Sequence, residues 1–218
     1  MTKLIILTYP TFWFFRTSGI TYGDFLFSIF ISEMNIELDL LTACINSERK
    51  AEYELYKMTY SYLMSICFRY TNSRDEAEEM LNIGFLKILK NLEKYKPEVP
   101  FKLWIRRVMI NVLIDEFRKK KRHQETIEYV EEYYETGNNA DENAVLSKMN
   151  VEQIHALIMK LPPMSQKVFN LYVIDGYNHK EIAELLKMSE GTSKWHLNLS
   201  RTRLKDMLSK IIMPLEVK

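Results

Sequence analysis

Residues 181–208 read EIAELLKMSEGTSKWHLNLSRTRLKDML. A short helix, EIAELLK, meets a tight turn, MSEG, and then a longer helix opening near Thr192; these are the lengths and turn chemistry of a helix-turn-helix. Asn178 followed by Glu181 is a capping-box pattern that opens the first helix. Ile182, Ala183 and Leu186 are expected to pack inward, with small Ala183 letting the two helices approach closely. On the second helix Lys194, Asn198, Arg201 and Lys205 recur at i, i+4, i+7 and i+11, while Leu197, Leu204, Leu208 and Ile211 are available for burial. Lys and Arg neutralise phosphate or bond guanine, and Asn can bond adenine, so a stripe of this kind suits the DNA major groove. A plain helical hairpin with a solvated basic face would carry the same pattern, and the motif alone leaves both readings open.

Working towards the N-terminus, Val151 to Lys160 and Ser165 to Ile174 read as two further helices, broken at Pro162-Pro163, with Gly176 at a C-terminal cap position. Residues 124–150 lose periodicity, and TIEYVEEYYETGNNADENA is acidic and polar, so this stretch reads as a linker and a domain boundary. Before it, Phe101, Ile105, Val108 and Val112 mark the buried side of a helix running to about Lys121. Trp104, Arg107, Asn111, Asp115 and Arg118 align along a different face of that helix. Ser73 with Glu76 is a second capping signal, opening a helix whose Ala77, Leu81, Phe85, Ile88 and Leu92 repeat at helical spacing until a stop near Lys96-Pro97. Tyr56, Tyr60, Leu63, Cys67 and Tyr70 have the period of another helix burying one face. NIELDLLTACINSERKAEYELYK reads as one amphipathic helix before that.

The 218 residues are enough for two small cores, and 47% hydrophobic and 27% charged residues with six Gly and six Pro suit a helical globular chain. A formal net charge of +1 conceals segregation: Arg106 to Arg122 is basic, Gln124 to Glu142 acidic, and Lys187 to Lys210 basic again. Cys44 and Cys67 are far apart and have no zinc-ligand spacing, so they read as reduced cytosolic thiols and the protein as cytoplasmic. Residues 1–33 are apolar and aromatic, yet broken by Pro10, Arg16, Gly19, Gly23 and Asp24. A transmembrane helix needs about twenty nearly unbroken apolar residues, and a signal peptide needs a basic start and a cleavage site. Translation is therefore expected to begin at Met34, with 1–33 a mis-called extension.

Three stretches carry a family resemblance. DEAEEMLNIGFLKILKNL is similar to region 2.2, FKLWIRRVMINVLIDEFRKKKR to regions 2.3 and 2.4, and LPPMSQKVFNLYVIDGYNHKEIAELLKMSEGTSKWHLNLSRTRLKDML to region 4 of sigma-70 family factors. In this order, joined by an acidic linker, they resemble the extracytoplasmic-function (ECF) group, particularly those of the Bacteroidetes type. The resemblance implies an all-α chain of two small helical domains: residues 34–123, binding core RNA polymerase and the minus-10 element, and residues 151–213, a helix-turn-helix binding the minus-35 element. It implies core polymerase contacts at Glu79, Asn82 and Phe85. It places Asn111 at the edge of a pocket for a flipped minus-10 base, beside a capture loop from Lys94 to Lys102, with Trp104, Arg107, Asp115, Arg118 and Lys119 on the same DNA-facing side. Minus-35 reading falls to Thr192, Ser193, Lys194, Trp195, His196, Asn198 and Arg201. The linker would thread the RNA exit path, and an anti-sigma partner would occlude both domains; no cofactor, metal or small-molecule substrate is implied. Ile83 replaces the family's usual acidic residue, Asn82 its Gln, and Trp195 and Leu199 stand where Ser and Arg are common, so the promoter sequence does not carry over from relatives.

An enzyme is disfavoured, because His123, His155, His179 and His196 form no metal-binding set and no phosphate-binding glycine loop occurs. A conventional helix-turn-helix regulator shares the C-terminal half, but would need a ligand, receiver or dimerisation domain where LWIRRVMINVLIDEFRKKKR stands. A membrane-linked protein would depend wholly on residues 1–33.

Overall fold

The computed structural model describes residues 36–124 and 151–212. The expected start at Met34, the stretch 1–33 and the acidic linker beyond Gln124 lie outside the described residues. Among the described residues the regular structure is entirely helical, and they fall into two compact units, one on each side of the linker.

The first unit holds α1 (Leu38–Ile45), α2 (Arg49–Phe68), α3 (Arg74–Lys90), a 3-10 turn (Leu92–Lys94) and α4 (Phe101–Gln124). The single helix expected through NIELDLLTACINSERKAEYELYK is two. Ser47 takes a left-handed backbone at φ 61°, and the N–H groups of Asn46, Ser47 and Glu48 bond back to the carbonyls of Thr42, Cys44 and Ala43. Asn and Ser compete with helix through their own side chains, so the break falls where the sequence resists helix most. The turn lets α1 lay Leu41 and Cys44 into the core, against α2 and the 3-10 turn.

On α2 the buried line is Ala51, Leu55, Thr59, Leu63, Ile66 and Cys67, and Tyr56 and Tyr60 sit half-buried at its edge. Thr59 is tolerated inside because its hydroxyl donates to the Leu55 carbonyl at 2.8 Å. The start of α3 follows expectation with a shift. Ser73 Oγ accepts the Glu76 N–H at 3.2 Å, but the Glu76 carboxylate accepts the Asn72 N–H at 2.9 Å, one residue before the cap. All five apolar residues expected to face inward from Ala77 to Leu92 are buried. The helix stops at Lys90, short of Pro97, where Asn91 turns its amide back to the Lys87 carbonyl at 2.7 Å.

Packed against both α2 and α3, α4 has a wider apolar face than expected. Val108 is half-buried, whereas Met109, Ile110, Leu113 and Ile114 join Phe101, Ile105 and Val112 inside. Gly84 of α3 lies so close to Met109 that a Cβ there would sit 2.6 Å from its sulfur, leaving no room for a larger residue unless the methionine shifts.

The second unit holds α5 (Val151–Met159), α6 (Pro163–Phe169) running on into a π-helical turn (Asn170–Ile174), α7 (His179–Leu186) and α8 (Glu190–Ile212). Gly176, at φ 77°, makes a left-handed turn that other residues adopt only at a cost. The capping box at Asn178 is complete: its Oδ1 accepts the Glu181 N–H at 2.9 Å and the Glu181 carboxylate accepts the Asn178 N–H at 2.8 Å. Lys187 ends α7 in a left-handed conformation at φ 56°. Helix α8 begins before the expected Thr192, because the Ser189 hydroxyl accepts the Thr192 N–H at 3.0 Å and opens the helix from the turn. Its inward face is Ser193, Leu197, Ser200 and Leu208; Ala183 and Leu204 are half-buried, and Ile211, though available for burial, is exposed.

Candidate nucleic-acid interface

The outer face of α4 carries the expected stripe. Arg107, Asn111, Asp115 and Lys119 are exposed, and Trp104 and Arg118 are half-buried. Trp104 is held in an aromatic cluster, its ring 5.3 Å from Tyr95 and 5.7 Å from Phe101. Tyr95 in turn donates its hydroxyl to the Val99 carbonyl at 2.9 Å, which closes the loop from Lys94 to Lys102 on itself, and its ring contacts with Phe101 and Trp104 tie that loop to the start of the helix. Lys102 at the end of that loop lies over the Tyr62 ring, 4.8 Å from its centre. Burial, helped by the nearby Arg106 charge, lowers its pKa below the usual lysine value. Arg106, which lies outside the stripe, is buried, in register with Ile110 and Leu113 on the apolar side.

Between α3 and α4 runs a groove of about 310 Å³ whose rim includes Lys87, Asp115, Arg118, Lys119 and Arg122. Asp115 pairs with Arg118 at 3.4 Å and with Lys87 at 3.7 Å, Lys119 with Glu116 at 3.4 Å, and Lys120 with Glu76. Solvent-screened pairs of this kind are weak.

On α3, Glu79 and Asn82 are exposed while Phe85 is buried. The Phe85 ring packs edge-on against Tyr56 at 5.0 Å, and the Tyr56 hydroxyl donates to Asn82 Oδ1 at 3.2 Å. Phe85 thus supports the face from behind. The apolar part of that face is supplied instead by Ile83 and Leu86, 44% and 57% exposed, beside Glu79 and Asn82. Periodicity could have found them, since neither belongs to the inward set that starts at Ala77.

On α8 Thr192, Lys194, Trp195, Asn198 and Arg201 are exposed, and Lys205 is half-buried. Thr192 shares a 2.8 Å hydroxyl contact with Ser189 in the turn. Two expected DNA ligands are placed differently. Ser193 is fully buried, its hydroxyl 2.9 Å from His179 Nδ1, which removes it from the exposed stripe. His196 is half-buried, and its Nδ1 lies 2.9 Å from Ser165 Oγ. Both face the helices behind α8, as the Leu197 register requires.

Two families match the chain over these two units: Sigma-70 region 2 over residues 55–123, and Sigma-70, region 4 over residues 151–204. The chain belongs to the sigma-70 family. This sigma factor is similar to the ECF RNA polymerase sigma factor SigW of Bacillus subtilis, 27% identical over 155 residues that make up 67% of this chain and 82% of that protein. RNA polymerase sigma factor YlaC of the same organism is 23% identical over 158 residues, 72% of this chain and 91% of that protein. Among solved structures, the sigma factor RpoE in complex with the anti-sigma factor NepR from Bartonella quintana overlaps 72% of this chain and 96% of its own, at 14% identity and a TM-score of 0.46. Within the sigma-70 family the chain falls in the ECF group of RNA polymerase sigma factors, which are initiation factors and not enzymes. Among the described residues no helix is long and apolar enough to cross a membrane.

Proposed function

We propose that this sigma factor divides its work between the two units: residues 34–123 bind core RNA polymerase and open the promoter at the minus-10 element, residues 124–150 connect, and residues 151–213 read the minus-35 element. The observation that carries this division is that each unit buries one face of its long basic helix and leaves a polar, cationic stripe of the same helix outside. On α4 the stripe centres on Asn111, next to an aromatic-braced loop; a flipped base costs a few kcal/mol of unstacking, which stacking, amide hydrogen bonds and nearby cations offset. On α8 the stripe is Lys194, Asn198 and Arg201. Glu79, Asn82, Ile83 and Leu86 form the polar and apolar face through which α3 would dock on the polymerase. A Bacteroidetes-type lineage, a cytoplasmic location and an anti-sigma partner that occludes both units belong to the same proposal.

The test is transcription in vitro with bacterial core polymerase and the protein from Met34 to Lys218, on fragments from its own genomic neighbourhood. Start-specific transcripts that depend on the protein are expected. Retained duplex binding without core binding or transcripts would favour a conventional regulator. Asn111→Ala should weaken open-complex formation more than core binding, and equal losses would count against the base-capture role. Lys194→Ala should lower upstream-element affinity and reduce the salt slope by about one, as removal of one phosphate contact does.

A further inference from the structure

We infer that His179, through its bond to Ser193, is a positioning residue that sets the rotation of the recognition helix α8, and so determines promoter specificity without touching DNA. The inference rests on the reading of α8 as the minus-35 reader.

Helix α7 offers α8 little apolar surface: Ile182 and Leu186 are its buried residues, and the turn joining the helices passes through the left-handed Lys187. Apolar contact of that size holds two helices together, but it is non-directional and does not choose a rotation. The polar ties do. The capping box at Asn178 sets His179 as the first residue of α7, and the His179 ring stacks on Tyr172 with centres 4.6 Å apart and planes at 24°. Held there, Nδ1 lies 2.9 Å from the hydroxyl of Ser193, which is completely buried. Along α8 a second tie is made to α6. Ser200 Oγ donates to the Ser165 carbonyl at 2.9 Å, and Ser165 Oγ lies 2.9 Å from His196 Nδ1. With α6 holding one side and α7 the other, α8 cannot turn about its axis without breaking a buried hydrogen bond, and buried polar groups left unpaired are costly.

Ser193 immediately precedes Lys194, and Asn198 follows one turn later on the exposed face. Base-edge hydrogen bonds depend on the direction of approach, whereas phosphate attraction tolerates rotation. Loss of the tie therefore harms discrimination before it harms attraction to DNA.

The test uses holoenzyme reconstituted from the full chain and bacterial core polymerase, presented with promoter duplexes randomised in the upstream element. The readouts are the ratio of specific to non-specific binding, the salt slope, and thermal melting of the free proteins. His179→Ala and Ser193→Ala are each expected to lower the ratio about tenfold, the equivalent of one buried hydrogen bond. The double variant should lose no more than either single, and His179→Asn, whose amide can reach the same hydroxyl, should recover most of the ratio. Non-specific affinity and salt slope should stay at the wild-type values. A ratio within about twofold of wild type in both single variants would overturn the inference. So would an equal fall in specific and non-specific binding, which is the mark of a destabilised domain. A wild-type holoenzyme that selects no upstream sequence would remove the reading of α8, and this inference with it.

Discussion

The two units solve the same mechanical problem, leaving one polar, cationic face of a long helix exposed, with different kinds of interior. Around α4 the core is apolar: Leu55, Leu63, Ile66, Leu81, Ile88, Ile105, Met109, Ile110 and Ile114 are all almost wholly buried. Its inward polar residues are few, Thr59, Thr71 and Arg106. Around α8 a smaller apolar core is interleaved with Ser165, Gln166, Lys167, Asn170, Ser193 and Ser200, all buried. Lys167 is accommodated there by donating its amine to Gln166 Oε1 at 2.7 Å. Helix α4 is wedged between two long partners and its orientation follows from packing, whereas α8 leans on short helices and needs directional bonds. A core of many large apolar side chains gives affinity between helices; a core with few of them must obtain orientation from hydrogen bonds.

This contrast can be broken most directly in the first unit. Ile110→Ala should cost about 2–5 kcal/mol of stability, because α4 is packed on two sides and the cavity cannot easily collapse. Denaturant unfolding followed by helicity checks this, and a loss well under that range would mean the core is more plastic than its burial implies. In the second unit Ser200→Ala should cost about 1 kcal/mol, the net value of a buried hydrogen bond. A cost as large as that of Ile110→Ala would mean the second core depends on its polar ties for folding as well as for orientation. Lys187→Gly should stabilise the second unit by about 0.5–1 kcal/mol, since glycine accepts the left-handed turn at φ 56° freely. A thermal shift downwards would show that the turn is held by contacts of the lysine itself.

The smallest effect expected is one of pH. Burial, with the charges of Lys194 and Arg201 and against that of Glu190, holds His179 below the ordinary histidine pKa of 6.5. The unfolded chain takes up this proton near 6.5, the folded unit only at lower pH. The stability due to neutral His179 is therefore complete above 6.5 and is lost as the pH falls below it. Melting of the second unit should decline across that window more steeply in the wild type than in His179→Asn, and parallel profiles would place the proton elsewhere.

Much of this was legible in the residues. The capping signals at Ser73 and Asn178, the inward register from Ala77 to Leu92 and the outward stripes on α4 and α8 are local matters of spacing, and the structure has them. Ser193 and His196 were put among the minus-35 residues through the family resemblance, whereas their register beside Leu197 turns them toward the helices behind α8. The break at Ser47 was missed because a left-handed serine has no strong signal of its own.

What the sequence determined by itself is therefore the helical class, the two-part division and the side of each long helix that faces solvent, since helical period and capping act within a few residues. Which polar residues the second core takes in, and which of them pin α8, was decided only by tertiary structure. A serine or histidine is at home in water or in a core, and the choice between them depends on whether a partner such as His179 for Ser193 is brought within hydrogen-bonding reach by the rest of the fold.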